Sequence, residues 1–322
     1  MTIDEEFEQH RPRLFGLAYR MLGSADEAED TVQDAYLRYR GADRTAVEHP
    51  AAWLAKVVTN LCLNRLTSAR VRRESYVGPW LPEPVVTSDG TLGPLESAEQ
   101  RDSVSMAVLV LLERLSPAER AVYVLREAFA YGHREIAGIL DLTEANCRQL
   151  YRRAVRRVGE PGARFQPSPQ QRERLVTSFL TAAREGDLAG LEKLLTADVT
   201  WWSDGGGRVS AARRPVEGRE KVVRLLVGGA ERFAAGLHYT VLEVNGEGAL
   251  AAWAGDTLAG VVALELREGR VAQVRVVVNP DKLDFVRRQL TRPWPPPVTS
   301  AEAVRSQLAK GAPSGSTDVR RD

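Results

Sequence analysis

Residues 116–158 read SPAERAVYVLREAFAYGHREIAGILDLTEANCRQLYRRAVRRV, and this stretch decides the fold of the middle of the chain. Ser116-Pro-Ala-Glu119 has the spacing of a capped helix start with proline in the first turn. A helix through Ile136–Leu140 is followed by the short turn Asp141–Thr143 and by a second helix that begins at Glu144. This spacing predicts a helix-turn-helix unit, whose second helix enters the major groove of DNA.

The second of these helices has two faces of opposite character. At 100° per residue, four arginines and a glutamine share an arc of about 140°, and Cys147 and Ala154 lie on the other side. Long bidentate donors suit base edges near the start of such a helix and phosphates further along it. An ordinary arginine-rich surface helix is the alternative. The residues predicted to contact duplex DNA are Arg148, Gln149, Arg152, Arg153 and Arg156.

The first 74 residues carry an acidic face and a basic one. Ser24-Ala-Asp-Glu27 has capping-box spacing, and the helix that it starts carries an acidic face of Asp26, Asp30, Gln33 and Asp34. From Ala51 to Arg73 there are five basic residues and no acidic one, with amides and an aromatic between them, a mixture that suits phosphates and exposed bases. The predicted basic face comprises Trp53, Lys56, Asn60, Asn64, Arg65, Arg70, Arg72 and Arg73. The residues alone leave two alternatives open, acidic side chains favouring a helix start and a solvated basic helix end.

Composition divides the 322 residues into five segments. Residues 1–74 and 96–160 are predicted to be helical, and the Pro/Gly-rich segment 75–95 is predicted to link them. Residues 170–290 are predicted to form helices and then an antiparallel run of strands, an α+β cone around a cavity. The strands are expected near 237–244, 249–254, 259–266 and 271–278. The Pro-, Ser- and Gly-rich end, 291–322, is predicted to be a disordered tail.

Composition also excludes several classes of function. With 44 Lys and Arg against 43 Asp and Glu, the net charge is +1, which argues against a uniformly basic nucleic-acid binder. Cys62 and Cys147 match no metal or redox spacing, and a disulfide framework is excluded. The longest apolar run, Met106–Leu112, is too short to span a membrane. The acidic N-terminus lacks the apolar core of a signal peptide, and we expect a cytoplasmic protein.

The order of these features resembles a bacterial extracytoplasmic-function sigma factor. Residues 23–38 (GSADEAEDTVQDAYLR) are similar to the family's acidic helix, 50–65 to its −10-reading segment, and 115–120 with 131–140 to its −35-reading domain. The resemblance implies two all-α domains, sigma region 2 (1–74) and sigma region 4 (96–160). It implies that the acidic face binds core RNA polymerase and that the basic face opens the promoter −10 element. The helix-turn-helix would then read the −35 duplex, and no metal or cofactor would be needed. The resemblance leaves an anti-sigma partner unknown.

Residues 170–290 resemble a SnoaL-like domain, and three motifs resemble those of the sigma subgroup that carries one. These are Trp80-Leu81-Pro82-Glu83-Pro84, Asp204-Gly205-Gly206-Gly207-Arg208 and Asn279-Pro280-Asp281-Lys282-Leu283. The family's usual lysine after the glycines is Arg208 here. We expect a rigid Trp80–Pro82 anchor in the linker to dock against the second and third motifs, because rigid aromatic anchors suit interfaces. The docked domain would modulate sigma activity.

Two other functions stay open on the sequence alone. One is a helix-turn-helix transcription regulator with a ligand-sensing SnoaL-like domain. The other is a SnoaL-like cyclase or hydrolase, with Asp204, His238 and Asp256 as acid/base candidates. The strands expected to line the cone are mostly aliphatic, including Val261 and Val262, which favours an apolar core without catalysis.

Overall fold

The three parts predicted from the sequence are present in the computed structural model. It describes residues 2–43, 47–88, 90–92, 98–159, 168–233 and 236–291, with side chains except at 68–74, 98, 99, 169 and 230–233. We call the three parts the N-terminal domain (2–74), the helix-turn-helix domain (98–158) and the C-terminal domain (168–291), and we call residues 75–92 the linker. The predicted tail lies outside the described residues, apart from Thr291.

The N-terminal domain is a bundle of three helices, α1 (Ile3–Leu22), α2 (Ala25–Arg40) and α3 (Pro50–Glu74). Helix α1 ends at Gly23, whose φ of 68° is the left-handed conformation that helix C-caps favour. Ser24 then starts α2, because its side chain accepts a hydrogen bond from the Glu27 amide. A single glycine–serine step therefore sets the angle between the first two helices.

The helix-turn-helix domain contains α4 (Ala98–Asp102), α5 (Met106–Leu112), α6 (Pro117–Glu127), α7 (His133–Leu140) and α8 (Glu144–Val158). The predicted capping box of Ser116 and Glu119 starts α6. Thr143 caps α8 by accepting from the Asn146 amide at 3.2 Å. Asp141, at φ 53°, turns the chain between α7 and α8. These local signals produce the predicted helix–turn–helix.

The two helical domains share one apolar core. Buried side chains of both belong to a single cluster, among them Phe7 and Leu54 from the N-terminal domain and Leu125 and Ile136 from the helix-turn-helix domain. The predicted DNA-reading module is therefore packed against the domain that carries the acidic and basic faces.

The C-terminal domain packs helices against one six-stranded sheet. Its elements are α9 (Pro169–Glu185), α10 (Leu188–Leu194), β1 (Leu195–Asp204), β2 (Val216–Glu217), α11 (Arg219–Phe233), β3 (Leu237–Val244), β4 (Glu247–Ala254), β5 (Thr257–Arg267), β6 (Arg270–Val277) and α12 (Asp284–Thr291), with a 3₁₀ turn at Pro280–Lys282. The strand order is β2-β1-β6-β5-β4-β3, and β1 pairs with β6 in parallel. The remaining neighbours are antiparallel, as predicted for β3–β6.

The sheet carries an apolar cluster on each of its two faces. Val262 packs with the α9–α11 side of the sheet, whereas Val261 belongs to a second cluster that includes Leu81 of the linker and Met106 of α5. Neighbouring strand residues point to opposite faces, so the two valines cannot both line the cone. Val261 is buried on the outer face because that face is covered by the linker and the helix-turn-helix domain.

Candidate polymerase, promoter and interdomain surfaces

The outward face of α8 is open to solvent. Thr143 fixes the start of the helix, and Cys147 and Ala154 are buried against the rest of the domain. The side chains predicted to contact the −35 duplex are all exposed: Arg148, Gln149, Arg152, Arg153 and Arg156. Arg148 is ion-paired with Glu144 on the same helix. The arrangement presents guanidinium groups on a rigid helix, as major-groove binding requires.

The acidic face of α2 is partly neutralised within the chain. Arg65 of α3 donates a hydrogen bond to Asp34 at 2.7 Å and lies 3.8 Å from Asp30. Arg288 of α12 donates to Asp26 at 2.7 Å and to Glu29 at 3.0 Å. Asp30 and Gln33 remain exposed. Two of the four predicted residues, Asp26 and Asp34, are thus held by arginines from other elements.

The basic face of α3 is also engaged. Lys56 donates to the Asp141 carboxylate at 2.6 Å and to the Gly138 carbonyl at 3.1 Å, both in the helix-turn-helix domain. Trp53 is half-buried, with its ring 5.8 Å from that of Tyr39. Asn60 is half-buried and Asn64 is exposed. Arg70, Arg72 and Arg73 lie on α3, but their side chains are outside the described part of the chain.

The three short motifs meet around one buried carboxylate. Asp204 is completely buried at the end of β1. It accepts hydrogen bonds from the Leu81 amide at 2.8 Å, the Tyr76 hydroxyl at 2.5 Å and the Lys282 ammonium at 2.7 Å. Burial and the neighbouring Asp204 carboxylate raise the pKa of the Tyr76 hydroxyl above its usual value of 10.0. Tyr76 therefore donates its proton, and a buried charge is paired, as burial demands.

Lys282 and Trp80 join the C-terminal domain to the N-terminal domain. The Lys282 ammonium donates to the Leu81 carbonyl at 2.5 Å and lies 4.3 Å from the Trp80 ring centroid. The distance suits a cation–π interaction. On its other side Trp80 packs on Gly23, where a Cβ atom would come within 2.7 Å of the ring. Trp80 is therefore held between the α1–α2 corner and the C-terminal domain.

The glycines after Asp204 permit close approach. A Cβ on Gly206, at φ 57°, would overlap the Asn279 amide and come within 3.0 Å of the Tyr76 hydroxyl. A Cβ on Gly205 would overlap the Val209 carbonyl, and Gly207 lies against Val77 of the linker. Only a loop without side chains fits here.

The outer edge of this cluster is exposed. Arg208 pairs with Asp281 at 3.3 Å, and both side chains are more than 60% exposed. Pro82 is buried in the linker beside Leu81. The Arg that replaces the family's usual Lys therefore sits at the rim, away from the buried Asp204 carboxylate.

Several residues that join the domains were not among the predicted interdomain residues, and Glu83 and Asn245 are two of them. Glu83 accepts hydrogen bonds from the Ala25 and Asp26 amides at 2.7 and 3.1 Å, so the linker caps α2. Burial raises the pKa of the Glu83 carboxyl, and hydrogen bonds from Asp26 and Ser24 oppose the rise. Asn245 lies between the strands predicted near 237–244 and 249–254, at the tip of the β3–β4 hairpin. The only sequence signal for the Glu83 contact was a glutamate within a Pro-rich segment. The partners of Glu83 and of Asn245 are distant in sequence, so no local pattern identified them.

The three acid/base candidates are not brought together. Asp204 is held by Lys282, whereas His238 is exposed and stacks on Trp253 with centroids 6.2 Å apart. Asp256 is exposed in the β4–β5 turn. Across the described residues, no three His, Cys, Asp or Glu side chains are grouped so that they could hold a metal ion.

Comparison with known proteins identifies the family. Residues 7–72 match Sigma-70 region 2, and residues 105–158 match Sigma-70, region 4. The ECF RNA polymerase sigma factor SigJ of Mycobacterium tuberculosis is 39% identical over 291 residues, covering 86% of this chain and 92% of SigJ. The chain belongs to the ECF RNA polymerase sigma factors. It is an alternative sigma factor and not an enzyme, so the repressor and cyclase interpretations are set aside.

Other comparisons extend the similarity to the C-terminal domain of this sigma factor. The probable ECF sigma factor SigI of M. tuberculosis is 33% identical over 299 residues, which cover 89% of this chain and 97% of SigI. The crystal structure of M. tuberculosis SigJ aligns with a TM-score of 0.69 at 34% identity, over 88% of this chain and 98% of that one. The predicted fold class is confirmed. Within the described residues, no helix combines the length and the apolar character that crossing a bilayer requires.

Proposed function

We propose that this sigma factor acts in the cytoplasm, where it binds core RNA polymerase through the acidic face of α2 and directs the enzyme to promoters. Helix α3 would engage the −10 element, and α8 would read the −35 duplex. The observation that carries the promoter assignment is the solvent-exposed row of arginines on a capped helix of a helix-turn-helix unit. Exposed carboxylates on α2 suit a basic partner surface.

We also propose that the C-terminal domain modulates this activity by docking on the sigma portion. Helix α12 places Arg288 on Asp26 and Glu29, and Phe285 stacks on Phe15 with centroids 5.4 Å apart. Core polymerase and α12 would therefore compete for α2. The buried Asp204–Lys282 pair and the Trp80 anchor support the docked arrangement.

Transcription with purified core polymerase tests the polymerase surface. The template is a promoter selected for this holoenzyme from a random library. Asp30→Lys reverses an exposed charge, 74% accessible, and we expect it to abolish both transcription and binding to core. Glu8→Lys, a reversal on the exposed side of α1, is the matched control and should retain activity. Wild-type core binding by Asp30→Lys would refute the assignment.

The competition for α2 has its own test. Arg288→Ala frees Asp26 and Glu29, and it should tighten binding to core polymerase in a titration of labelled sigma factor. Arg287→Ala is the control, since that arginine contacts Asp284 of its own helix. Equal affinities for wild type and Arg288→Ala would remove α12 from the proposal.

The promoter library also separates base contacts from phosphate contacts. Arg152→Ala should relax the preference at one −35 position, at a cost of about 1–3 kcal/mol for the matching base. Arg156→Ala, further along α8, should weaken all sequences alike and reduce the salt dependence of binding. An unchanged −35 preference in Arg152→Ala would contradict its role in base reading.

A further inference from the structure

Asn245 occupies a junction between three parts of the chain. It lies at the tip of the β3–β4 hairpin and is completely buried. Its amide nitrogen donates to the Tyr19 hydroxyl of α1 at 2.7 Å and to the Val104 carbonyl at 2.8 Å. Its amide oxygen accepts from the Val85 amide of the linker at 3.1 Å. One side chain of the C-terminal domain thus bonds to both helical domains and to the linker.

The backbone around the tip continues the same connection. The backbone amide of Asn245 donates to the Val85 carbonyl at 3.0 Å, and the backbone amide of Thr87 donates to the Glu243 carbonyl at 3.1 Å. Val86 and Val244 form an antiparallel bridge. The Tyr19 hydroxyl in turn donates to the Glu83 carbonyl at 2.5 Å. Because all the polar atoms of the Asn245 side chain are used, the tip fits this junction in one orientation.

A second hairpin in the same sheet shows that turn geometry does not require these contacts. Glu268, in the β5–β6 turn, has a φ of 53°, close to the 55° of Asn245, and each is followed by glycine. Glu268 is exposed, whereas Asn245 is buried between domains. An asparagine amide is therefore needed at 245 for the junction and not for the turn.

We propose that Asn245 is a positioning residue that fixes the separation between the N-terminal and helix-turn-helix domains while the C-terminal domain is docked. Val104 directly precedes the cap of α5, so holding its carbonyl against α1 ties the entry of the helix-turn-helix domain to the N-terminal domain. Release of the hairpin tip would then precede separation of the two helical domains. The inference rests on the proposed docking of the C-terminal domain. It adds to that docking a residue that lies outside the three short motifs.

The proposal predicts a change in the free, full-length protein. Dyes at Arg38→Cys on α2 and Ala145→Cys on α8, both exposed positions, report the distance between the helical domains. The native Cys62 and Cys147 are fully buried and do not compete for the dyes. Asn245→Gly keeps the left-handed turn but leaves Tyr19, Val85 and Val104 groups without their amide partner. Each buried group left unpaired costs free energy in the closed arrangement. The fraction of molecules in which the two helical domains are separated, the open population, should therefore rise at least about fivefold.

Matched variants separate this role from general damage to the sheet. Glu268→Gly makes the same substitution in the exposed turn and should leave the distance distribution unchanged. Tyr19→Phe removes the hydroxyl from the other side of the junction, and it should also increase the open population. In the double variant Tyr19→Phe with Asn245→Gly, the fold-increase in the open population should be smaller than the product of the two single fold-increases, because both substitutions break the same hydrogen bond.

The outcomes are decisive in either direction. A wild-type distance distribution in Asn245→Gly, or equal opening in Glu268→Gly, would overturn the proposal. If Asn245→Gly fails to fold, Tyr19→Phe decides alone, and a wild-type distribution in that variant overturns it. No polymerase or DNA is present, so a negative result here leaves the polymerase and promoter assignments standing, and a failed transcription assay leaves this junction standing.

Discussion

The helix-turn-helix domain and the C-terminal domain both pack on the N-terminal domain, but they do so with different chemistry. The first shares a continuous apolar core with it, and at the rim Lys56 pairs with Asp141 in the open. Two buried arginines cross that interface to neutral acceptors: Arg120 donates to the Met21 carbonyl, and Arg20 donates to the Ser103 hydroxyl. The second interface also has apolar contacts, such as that of Phe285 on Phe15. In addition, it covers an ion pair of the C-terminal domain, Asp204 with Lys282, almost completely against the linker.

The difference bears on how each interface opens. Apolar contact is non-directional, so its free energy follows the area removed from water. A buried ion pair has strict geometry, and removing one partner leaves an uncompensated charge that costs about 3–5 kcal/mol. We therefore expect the C-terminal interface to be sensitive to single side chains and the interface between the helical domains to be tolerant at its rim.

The largest expected effect is that of Asp204→Ala. It leaves the Lys282 ammonium buried without its carboxylate, and the free energy of unfolding should fall by about 3–5 kcal/mol in urea denaturation. The control is Asp281→Ala, which breaks the exposed pair with Arg208 and should cost less than about 1 kcal/mol. Similar losses in the two variants would mean that burial does not distinguish the pairs.

A smaller effect is expected at Glu83, the linker residue that caps α2. Glu83→Ala should lower the free energy of unfolding by about 1–2 kcal/mol, because the first amides of α2 lose their acceptor. Glu83→Gln keeps an acceptor oxygen and should retain most of that stability. An equal loss in Glu83→Gln would mean that the charge, and not the acceptor, matters.

The stability difference between wild type and Glu83→Gln should also depend on pH. Burial raises the pKa of the Glu83 carboxyl from its usual value of 4.5, so the folded protein binds this proton more tightly than the unfolded chain does. Its contribution to stability is complete below pH 4.5 and is lost as the pH rises through the raised value. Stability curves should therefore show wild type losing stability relative to Glu83→Gln as the pH is raised above 4.5. A constant difference would contradict the raised pKa.

The smallest effect is expected at the rim between the helical domains. Lys56→Ala breaks a pair whose side chains are 39% and 73% exposed, and the free energy of unfolding should change by less than about 1 kcal/mol. Added salt should reduce the difference further, as measured by urea titrations at low and high ionic strength. A loss as large as that of Asp204→Ala would erase the contrast between the two interfaces.

Local signals accounted for most of the fold. Ser116, Glu119 and Thr143 act through neighbours three residues away, and the sequence therefore predicted where their helices start. Strands β1 and β2 and helix α12 were not predicted. Helix α10 leads directly into β1, and α12 is short, so neither has a strong boundary signal. Their positions depend on contacts made elsewhere in the chain.

The candidate surfaces were predictable as residue types and not as a connected arrangement. The periodicity of α8 was sufficient to place its arginines on one face, because all of these arginines belong to one helix. Nothing local indicated that Lys56 would meet Asp141 or that Arg288 would meet Asp26, since these partners are 85 and 262 residues apart. The motifs around Asp204 were expected to meet, but the hydrogen bonds of Asn245 needed the assembled sheet.

The ion pairs of Arg288 have one more consequence. Arg288 and Asp26 belong to the same polypeptide, so their encounter is intramolecular and depends on chain geometry instead of protein concentration. Diluting the protein leaves the pairs in place, and producing more of it supplies one arginine with every two carboxylates, in a fixed ratio. Neither gene dosage nor an imbalance between two expressed chains can release these carboxylates from Arg288. Only a competing ligand, a change of solution conditions or a covalent change to the chain can do so.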